Sequence, residues 1–394
     1  MSEWREYNVG ELIKKNILSI GDGYRAKNLE LSASKDDGLP FARAGNVNGG
    51  FDFSDADYFP HQNLQKVGEK VSKLGDTVFT SKGTVGRFAF VNDKSAKFVY
   101  SPQLCYWRSL DEKVISPRYL FYWMQGREFF EQANAVKSQT DMADYVNLFD
   151  QRRMMITLPL IDEQKAIEES LSSLDDKIDL LHRQNKTLEH LAETLFRQWF
   201  VEKAEESWEE KSLDEIAEYL NGLALQKFPA KGNDSLPVIK IKEMKQGISE
   251  NTDRCSREMP SKYIIQDGDI LFSWSGSLEV VIWHDGEGAL NQHLFKVSSN
   301  SFPKWFYYLA TKYHLETFKM IAESKSTTMG HIQREHLSDA TISVPPKEIF
   351  AEYDKQIAPL IEKRIKNNSQ IKNLIQLRDT LLPKLMSGEV RVNN

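Results

Sequence analysis

The sequence has little cysteine, with only Cys105 and Cys255 among 394 residues. The two thiols are far apart and form no CxxC pair, so they cannot build a zinc site or a disulfide framework. Such cysteine usage is typical of a reducing compartment, and we expect a cytoplasmic protein. Long apolar runs are missing too, since no segment is apolar over the length that spans a bilayer.

Basic residues are not in excess, since 51 lysines and arginines stand against 57 aspartates and glutamates, a net charge of −6. Nucleic-acid-binding domains are usually basic, so the total charge counts against such a partner. Many of the acids, however, lie in DEQKAIEESLSSLDDKID and VEKAEESWEEKSLDEIAE, which sit in or beside helical patterns. A local basic face elsewhere is therefore compatible with the negative total.

The motifs of common nucleotide- and metal-dependent enzymes are missing as well. There is no GxxxxGK followed by Ser or Thr, no HExxH, and no metal-spaced cluster of histidine and cysteine. The segment VPPK at 344–347 lacks both ends of the D/N-P-P-Y/F motif of adenine methyltransferases. His284 and His293 are read as ordinary loop residues, because neither has a counterpart in the first half of the chain. We expect no catalytic residue, metal ligand or cofactor in this chain.

The sequence contains an internal repeat. NKTLEHLAETLFRQWF at 185–200 and IKNLIQLRDTLLPKLM at 371–386 share Lys, Leu, Leu, Thr and Leu at the same places. Further pairs follow in the same order: WREYNVGELI with WEEKSLDEIA, GLPFARAGNV with SLPVIKIKEM, and LGDTVFTSKGTVG with DGDILFSWSGSLE. SPQLCYW matches LNQHLFK, and the alignment pairs Gln103 with Gln292, Pro102 with Asn291, and Lys82 with Trp274. The sequence therefore predicts two copies of one unit.

Each copy begins with short β-rich runs and glycine or aspartate turns, such as DTVFTS and RFAFV in the first and DILFSW and VVIW in the second. One aromatic helix-like segment follows, RYLFYWMQGREFFEQANAV or KWFYYLATKYHLETFKMIAES, and a long helix ends the copy. We predict an α/β (α+β) domain at 1–160, a helix at 161–203, a second such domain at 204–346 and a second helix at 347–388.

The first long helix has an apolar stripe roughly two residues in seven wide, which is typical of a coiled-coil seam. Asn185 interrupts the stripe at an a position, where a polar residue fixes the register. The second helix departs from the pattern at Arg364, Asn367 and Arg378, and Pro359 should delay or kink its start. An amphipathic helix packed on its own domain is the alternative. The stripe of the first helix consists of Ile167, Leu171, Leu174, Ile178, Leu181, Leu188, Ala192 and Leu195.

The order domain, helix, domain, helix constrains how the helices pair. The first helix leads into the second domain, so a second helix that pairs with it must run back. We therefore expect an antiparallel coiled coil with a domain at each end and a pseudo-two-fold repeat. At 1.5 Å per residue, a helix over 162–200 would be roughly 55–60 Å long. Two similar heads at a fixed spacing suit a DNA duplex with two half-sites.

These stretches resemble a known family. LPLIDEQKAIEESLSSLDDKIDLLHRQNKTLEHLAETLFRQWF looks like the central conserved region of type I restriction–modification specificity (S) subunits, and RDTLLPKLMSGEV like their distal conserved region. GDILFSWSGSLE with LNQHLFKV looks like the core of their target-recognition domains. The resemblance implies a non-catalytic DNA-recognition subunit of a methyltransferase/endonuclease complex, in which each target-recognition domain reads one half of a bipartite site.

The resemblance also implies partners. These are modification (methyltransferase) subunits and, through them, restriction/translocase subunits, with S-adenosylmethionine, ATP and Mg expected on the partners. Because the helical stretch is written twice, we expect two modification subunits. Apolar residues off the seam are the candidate docking face, and closure onto the adjacent domain is the alternative. The docking candidates are Leu191, Phe196, Phe200, Leu377, Leu382 and Met386.

Small polar loops after the strands are the candidate DNA contacts. Loops such as TSKGTVGR and SWSGSLE let a backbone approach phosphates, although a plain β-turn explains them equally well. Gln103 and Gln292 suit adenine readout or a structural amide. The candidates are Arg43, Asn46, Asn48, Ser81, Lys82, Thr84, Arg87, Gln103, Lys137, Ser138, Gln139, Thr140, Lys240, Lys242, Lys245, Ser273, Trp274, Ser275, Ser277, Gln292, Lys325, Ser326, Thr327 and Thr328.

Two other functions stay open at this stage. One is a two-headed protein-binding scaffold, and the other is a DNA-processing enzyme with scattered carboxylates. A steep fall of affinity with salt distinguishes DNA binding from protein binding, because phosphate contacts release counterions.

Overall fold

The computed structural model describes residues 4–137, 144–231, 234–324 and 330–392. The chain divides into two compact units, Met1–Asp176 with Gln376–Asn394, and Lys177–Ile375. Each unit contains one globular domain and part of each long helix. The division cuts through both helices rather than at the domain limits drawn on the sequence, and those limits stay predictions.

The first unit has three small sheets. Its strands are β1 (Arg5–Asn8), β2 (Leu18–Asp22), β3 (Gly38–Ala42), β4 (Tyr58–Pro60), β5 (Thr77–Thr80), β6 (Phe88–Phe90), β7 (Val99–Tyr100), β8 (Leu104–Ser109) and β9 (Met155–Leu158). Its short helices are α1 (Val9–Lys14), α2 (Pro117–Met124), α3 (Arg127–Lys137) and α4 (Leu148–Arg153). The order β2-β8-β5-β6 forms an antiparallel sheet, β4-β3-β7 forms a second sheet with β3 and β7 parallel, and β1 pairs with β9.

The core of the first unit lies between the larger sheet and the aromatic helices. β5 is buried at every residue and β8 at all but its last. Phe129 of α3 packs edge-on against Phe79 and Trp107 of the sheet, with ring centroids 5.5 and 5.9 Å apart. The aromatic segment forms two helices, not the single one predicted, because the chain turns at Gly126. A Cβ at Gly126 would lie 3.0 Å from Trp123 O and 3.3 Å from Met386 Cγ, so a side chain there would be crowded.

The second unit begins within the first long helix, α5 (Ile161–Arg197), which continues into a π-helical segment, Gln198–Glu202. Its strands are β10 (Glu209–Ser212), β11 (Glu218–Asn221), β12 (Ser235–Ile239), β13 (Arg254–Ser256), β14 (Ile264–Ile265), β15 (Ile270–Ser273), β16 (Val280–Ile282), β17 (Gly288–Leu290), β18 (Leu294–Ser298) and β19 (Thr341–Val344). Its helices are α6 (Leu213–Ile216), α7 (Ile241–Gln246), α8 (Lys304–Tyr313), α9 (Leu315–Ser324), α10 (Glu335–Asp339) and the long α11 (Lys347–Met386).

The topology of the second unit repeats that of the first. The order β11-β18-β15-β16 corresponds to β2-β8-β5-β6, and β10 pairs with β19 as β1 does with β9. The sheet β13-β12-β17-β14 corresponds to β4-β3-β7 with one added strand, and β12 and β17 are parallel as β3 and β7 are. The predicted α/β (α+β) class and the internal repeat are confirmed.

The two long helices pair antiparallel, as predicted. In the second unit Ile178 and Leu181 share a buried cluster with Ile371. Further along α5, Glu189 forms an ion pair with Arg364 at 3.1 Å. As residue numbers rise along α5, the numbers of the partner residues on α11 therefore fall. Such apolar seams are what hold coiled coils together.

A layer of asparagines interrupts the seam. Asn185 Nδ2 donates to Asn368 Oδ1 at 2.6 Å, and Asn367 Nδ2 donates to Asn185 Oδ1 at 2.9 Å. All three side chains are buried. The polar seam position predicted at Asn185 is therefore confirmed. Its partner is Asn367, where the second helix departs from the apolar pattern.

Pro359 does not delay the second helix, contrary to the prediction, since α11 begins at Lys347 and runs through it. A proline inside a helix removes one backbone hydrogen bond. Here Ile357 and Ile361 on either side of it are fully buried in the core of the second unit, and this packing holds the helix.

The repeated helical stretches close the domain cores. Ala192, Phe196 and Phe200 belong to the core of the second unit, and Leu385 and Met386 belong to that of the first. The first domain thus completes its core with residues from the other end of the sequence. Among the described residues, no helix has the length and apolar character to cross a membrane.

Candidate nucleic-acid interface

Each unit gathers several loops at one edge of its larger sheet. Strands β2 and β5 end where the antiparallel β8 begins, and β3 ends beside them. We use the term first loop edge for residues 22–25, 43–49, 81–87, 103 and 144–145. The second loop edge consists of residues 221–223, 240–247, 274–279, 291–293 and 330–331.

Backbone hydrogen bonds fix the first loop edge. Ser81 N donates to Gln103 O at 2.9 Å, Val146 N to Ser81 O at 2.9 Å, and Gly83 N to Asp144 O at 3.0 Å. The hydroxyl of Thr80, buried at the end of β5, donates to Thr84 O and accepts from Arg87 N at 3.0 Å. The turn passes through Gly83 at φ +85°, where a side chain would be strained.

The second loop edge repeats these bonds one by one. Trp274 N donates to His293 O at 3.3 Å, Ile332 N to Trp274 O at 3.0 Å, and Gly276 N to Gly330 O at 2.9 Å. Ser273 takes the place of Thr80, since its hydroxyl donates to Ser277 O at 2.7 Å and accepts from Glu279 N at 2.8 Å. Gly276 turns at φ +67°. The two edges therefore share one backbone framework.

This framework corrects the alignment made on the sequence. Thr80 pairs with Leu104 and Ser273 with Leu294, so Gln103 corresponds to His293 and not to Gln292. By the same register Pro102 corresponds to Gln292. Lys82 corresponds to Ser275, because each bridges the strand-like segment that follows the aromatic helices. The sequence alone favours pairing the two glutamines, because residue identity carries no information about the strand register.

Side chains at the first loop edge are mostly donors. Lys82 Nζ lies 5.9 Å from the centroid of the Tyr145 ring. Gln103 Oε1 accepts from Ala44 N at 3.1 Å, which orients this exposed amide. Burial raises the pKa of Tyr145, so its hydroxyl is a neutral donor at physiological pH. Arg43 forms an ion pair with Asp57 at 2.6 Å.

Around Trp274 the second loop edge presents aromatic and imidazole groups instead. Trp274 Nε1 donates to Asn221 Oδ1 at 3.0 Å, which holds the indole in place. The Trp274 ring lies 5.8 Å from that of His293 and 6.4 Å from that of His331, between centroids. His293 Nδ1 is 3.0 Å from Ser275 Oγ. Equivalent backbone positions thus present different chemistry in the two units.

Comparison with known proteins agrees with this geometry. The family model described as the type I restriction modification DNA specificity domain matches residues 1–190 and 205–377, which is most of the chain. The chain belongs to this family. The resemblance found in the helical stretches is therefore confirmed.

Relatives within the specificity family are distant in sequence. The MjaIX specificity subunit of Methanocaldococcus jannaschii is 28% identical over 267 residues, which cover 61% of this chain and 62% of that protein. The HindI specificity subunit of Haemophilus influenzae is 23% identical, over 99% of this chain and 100% of that protein. A solved S subunit from M. genitalium has the same fold, with a TM-score of 0.57 at 16% identity over 98% of this chain and 96% of that one.

Most candidate DNA contacts of this specificity-family chain lie at the loop edges, and their role stays a prediction. The structure corrects the assignment of Ser81, Ser273 and Ser275, because all three are buried and their hydroxyls contact groups of the framework. Asn46 also serves its own loop, accepting from Arg43 N at 2.8 Å and donating to Asp52 O at 2.8 Å. The remaining candidates at the edges are Arg43, Asn46, Asn48, Lys82, Thr84, Arg87, Gln103, Lys240, Lys242, Lys245, Trp274, Ser277 and Gln292.

Eight candidates fall outside this description. Seven lie outside the described residues: Ser138, Gln139, Thr140, Lys325, Ser326, Thr327 and Thr328. Of Lys137, only its place at the end of α3 is described.

Four edge residues were missed on the sequence: Tyr145, Asn221, His293 and His331. Tyr145 and His331 each follow a polar stretch of the sequence by a few residues, a shared position that the repeat could have revealed. His293 was passed over because its counterpart is a glutamine, not a histidine.

The docking candidates divide by burial. The structure corrects the docking assignment of Phe196, Phe200 and Met386. They are 1%, 1% and 8% exposed, because their side chains fill the domain cores. Leu382 is half-buried against the core of the first unit. Leu191 and Leu377, at matching places in the repeat, are 44% and 47% exposed. Closure onto the adjacent domain thus holds for most of the set.

Proposed function

We propose that this chain is the DNA sequence-specificity subunit of a type I restriction–modification complex, with each recognition domain reading one half of a bipartite site. The observation that carries the proposal is the shared framework of the two loop edges. Identical backbone bonds present Lys82, Gln103 and Tyr145 in one unit and different side chains in the other. A constant frame with variable side chains suits two heads that dock alike on a duplex and read different bases.

The partners in this proposal are double-stranded DNA, two modification subunits and, through these, restriction/translocase subunits. Leu191 and Leu377 support the number two, because they are exposed leucines at matching places in the repeated stretch of the two long helices. S-adenosylmethionine, ATP and Mg belong to the partner subunits, and this chain contributes no catalytic residue. A cytoplasmic location fits its two free, buried cysteines.

Mapping methylated adenines in a host that expresses the chain with its partner subunits tests the proposal. We expect one motif made of two defined halves and an undefined spacer. Trp274→Ala with His293→Ala should alter or relax only one half of that motif. The proposal fails if no motif depends on this chain, or if the variant alters both halves alike. Methyl transfer by the highly purified chain alone would contradict its non-catalytic role.

A further inference from the structure

An ion pair recurs at equivalent places of the two loop edges. Arg43 follows β3 and Lys240 follows β12, each at the start of a short helical turn. Arg43 pairs with Asp57 at 2.6 Å, and Lys240 pairs with Asp253. The two acids are equivalent as well, because Asp57 O accepts from Phe41 N at 2.8 Å and Asp253 O accepts from Val238 N at 2.7 Å.

These pairs lie where the candidate DNA contacts lie. Ala44, next to Arg43, donates its N–H to Gln103, and Asn291, near Lys240 in space, donates to Ile239 O at 3.3 Å. The cation changes from arginine to lysine between the units, while most other edge side chains change in kind. The pairing with an aspartate is kept.

Stability does not explain the pairs. The side chains of Arg43 and Asp57 are 42% and 48% exposed, and those of Lys240 and Asp253 are 46% and 68% exposed. Ion pairs that open to solvent contribute little to folding. A phosphate oxygen offers the same cation an equal or better partner, since charge-assisted bonds from arginine to phosphate are strong.

We propose that Asp57 and Asp253 are electrostatic masks, which occupy the phosphate-contacting cations Arg43 and Lys240 until a DNA phosphate displaces the carboxylate. The inference rests on the proposed function. The mask lowers the affinity for any duplex, so that binding becomes stable only where base contacts add to phosphate contacts. The two aspartates are thus specificity-determining residues that act through their partners, without touching a base.

The test uses the chain in complex with its modification subunits and a labelled duplex without the methylation motif, titrated at several salt concentrations. Asp57→Asn with Asp253→Asn should bind this duplex about three- to tenfold more tightly at ~100 mM salt, with a salt slope steeper by about 1 for each freed cation. Asp57→Glu with Asp253→Glu keeps both charges and should bind like the wild type. Adding Arg43→Gln and Lys240→Gln to the asparagine variant should abolish the gain.

Asp176→Asn with Glu258→Gln is the matched control, because it removes two acids from exposed ion pairs outside the loop edges, with Arg118 and Lys231. Equal tightening by this control would overturn the mask and leave only the total charge. Unchanged or weaker binding by the asparagine variant, at an unchanged melting temperature, would overturn it too. If the wild-type complex binds no duplex in a salt-dependent manner, the proposed function fails and the mask with it.

Discussion

At the residue scale, the two loop edges share one backbone framework but differ in the charge of their side chains. The position of Lys82 is taken by Ser275 in the second unit, and that of Arg87 by Glu279. Lys245 near the second edge is neutralised in part by Glu279 at 3.1 Å. The first edge is therefore the more electropositive of the two, and phosphate contacts there should depend more on salt.

Lys82→Ala with Arg87→Ala should weaken DNA binding by the complex on every sequence, because both side chains are exposed donors at the first loop edge. The slope of log affinity against log salt should flatten by about 1 for each lost contact, as a binding titration at several salt concentrations would show. The second unit should stay folded.

Lys15→Ala with Lys113→Ala controls for total charge. These lysines lie beyond the ends of β2 and β8 that point away from the first loop edge. An unchanged slope for the first variant, or an equal change in the control, would place the DNA elsewhere.

At the element scale, charged side chains line the junction between the long helices and α8. The Glu189 carboxylate contacts Tyr308 and Lys312 of α8 and pairs with Arg364 of α11 at 3.1 Å. Burial alone would raise the pKa of Glu189, but Arg364 and Lys312, together with hydrogen bonds from Lys312 and Tyr308, lower it overall. The group thus ties three helices of the second unit together as an anion.

A carboxylate with a lowered pKa stabilises the folded state above its unfolded pKa, near 4.5, and this contribution is lost as the pH falls through the lower folded value. Glu189→Gln should therefore destabilise the second unit by about 1–3 kcal/mol at pH 7, because the half-buried Arg364 loses its carboxylate and Lys312 keeps only its pair with Glu193. The deficit should shrink below pH 4.5.

Thermal melts of wild type and Glu189→Gln between pH 7 and 3 would measure this effect. Asp179→Asn, on the same helix in an exposed pair with Arg183, should change little at any pH. A constant deficit across the whole range would show that packing, not charge, is lost with Glu189.

At the scale of the whole molecule, the paired helices connect two recognition domains, and their length should set the spacer of the DNA site. The asparagine layer decides where such a test inserts residues, because Asn185, Asn367 and Asn368 must stay together. Insertion after Leu181 and after Ile371 lies on one side of the layer in both helices and keeps it intact.

Seven residues inserted at both places keep the seams in phase and add ~10 Å, or ~3 base pairs. The methylated motif should keep both halves and gain that spacing, as mapping of methylated adenines would show. Insertion in α5 alone is the control and should abolish specific methylation. An unmoved spacer with the double insertion would mean that the helices do not set the distance.

Docking of two modification subunits should depend on Leu191 and Leu377, the exposed leucines of the repeated stretch. A buried carboxylate without a partner is strongly unfavourable, so an aspartate at either leucine should abolish one contact. Native mass spectrometry of the co-expressed complex should find two modification subunits for wild type, one for Leu191→Asp and none for the double variant with Leu377→Asp.

Leu180→Asp is the matched control, since Leu180 is 38% exposed on the same helix outside the repeated stretch. Wild-type stoichiometry in the double variant would remove these leucines from the interface. One modification subunit per wild-type chain at saturating partner would contradict two equivalent sites.

The repeat, the domain class and the coiled coil could be predicted from the sequence alone. These follow from local signals: the heptad spacing of Ile178 and Leu181, the polar seam position at Asn185, and turn residues between β-rich runs. Such periodicities are set along the chain and need no knowledge of distant partners. For the same reason the sequence located most loops of the candidate site, each at the end of a recognisable strand.

The side chains that those loops present and the helix residues that stay exposed could not be predicted, because they depend on contacts between distant parts of the chain. Gln103 corresponds to His293 through strand register, and backbone bonds leave no trace in side-chain identity. Phe196 and Met386 are buried because each helix end meets a domain core, which no helical period shows. The pairing of Arg43 with Asp57 joins residues that flank the neighbouring strands β3 and β4, and only the folded sheet brings them within 2.6 Å.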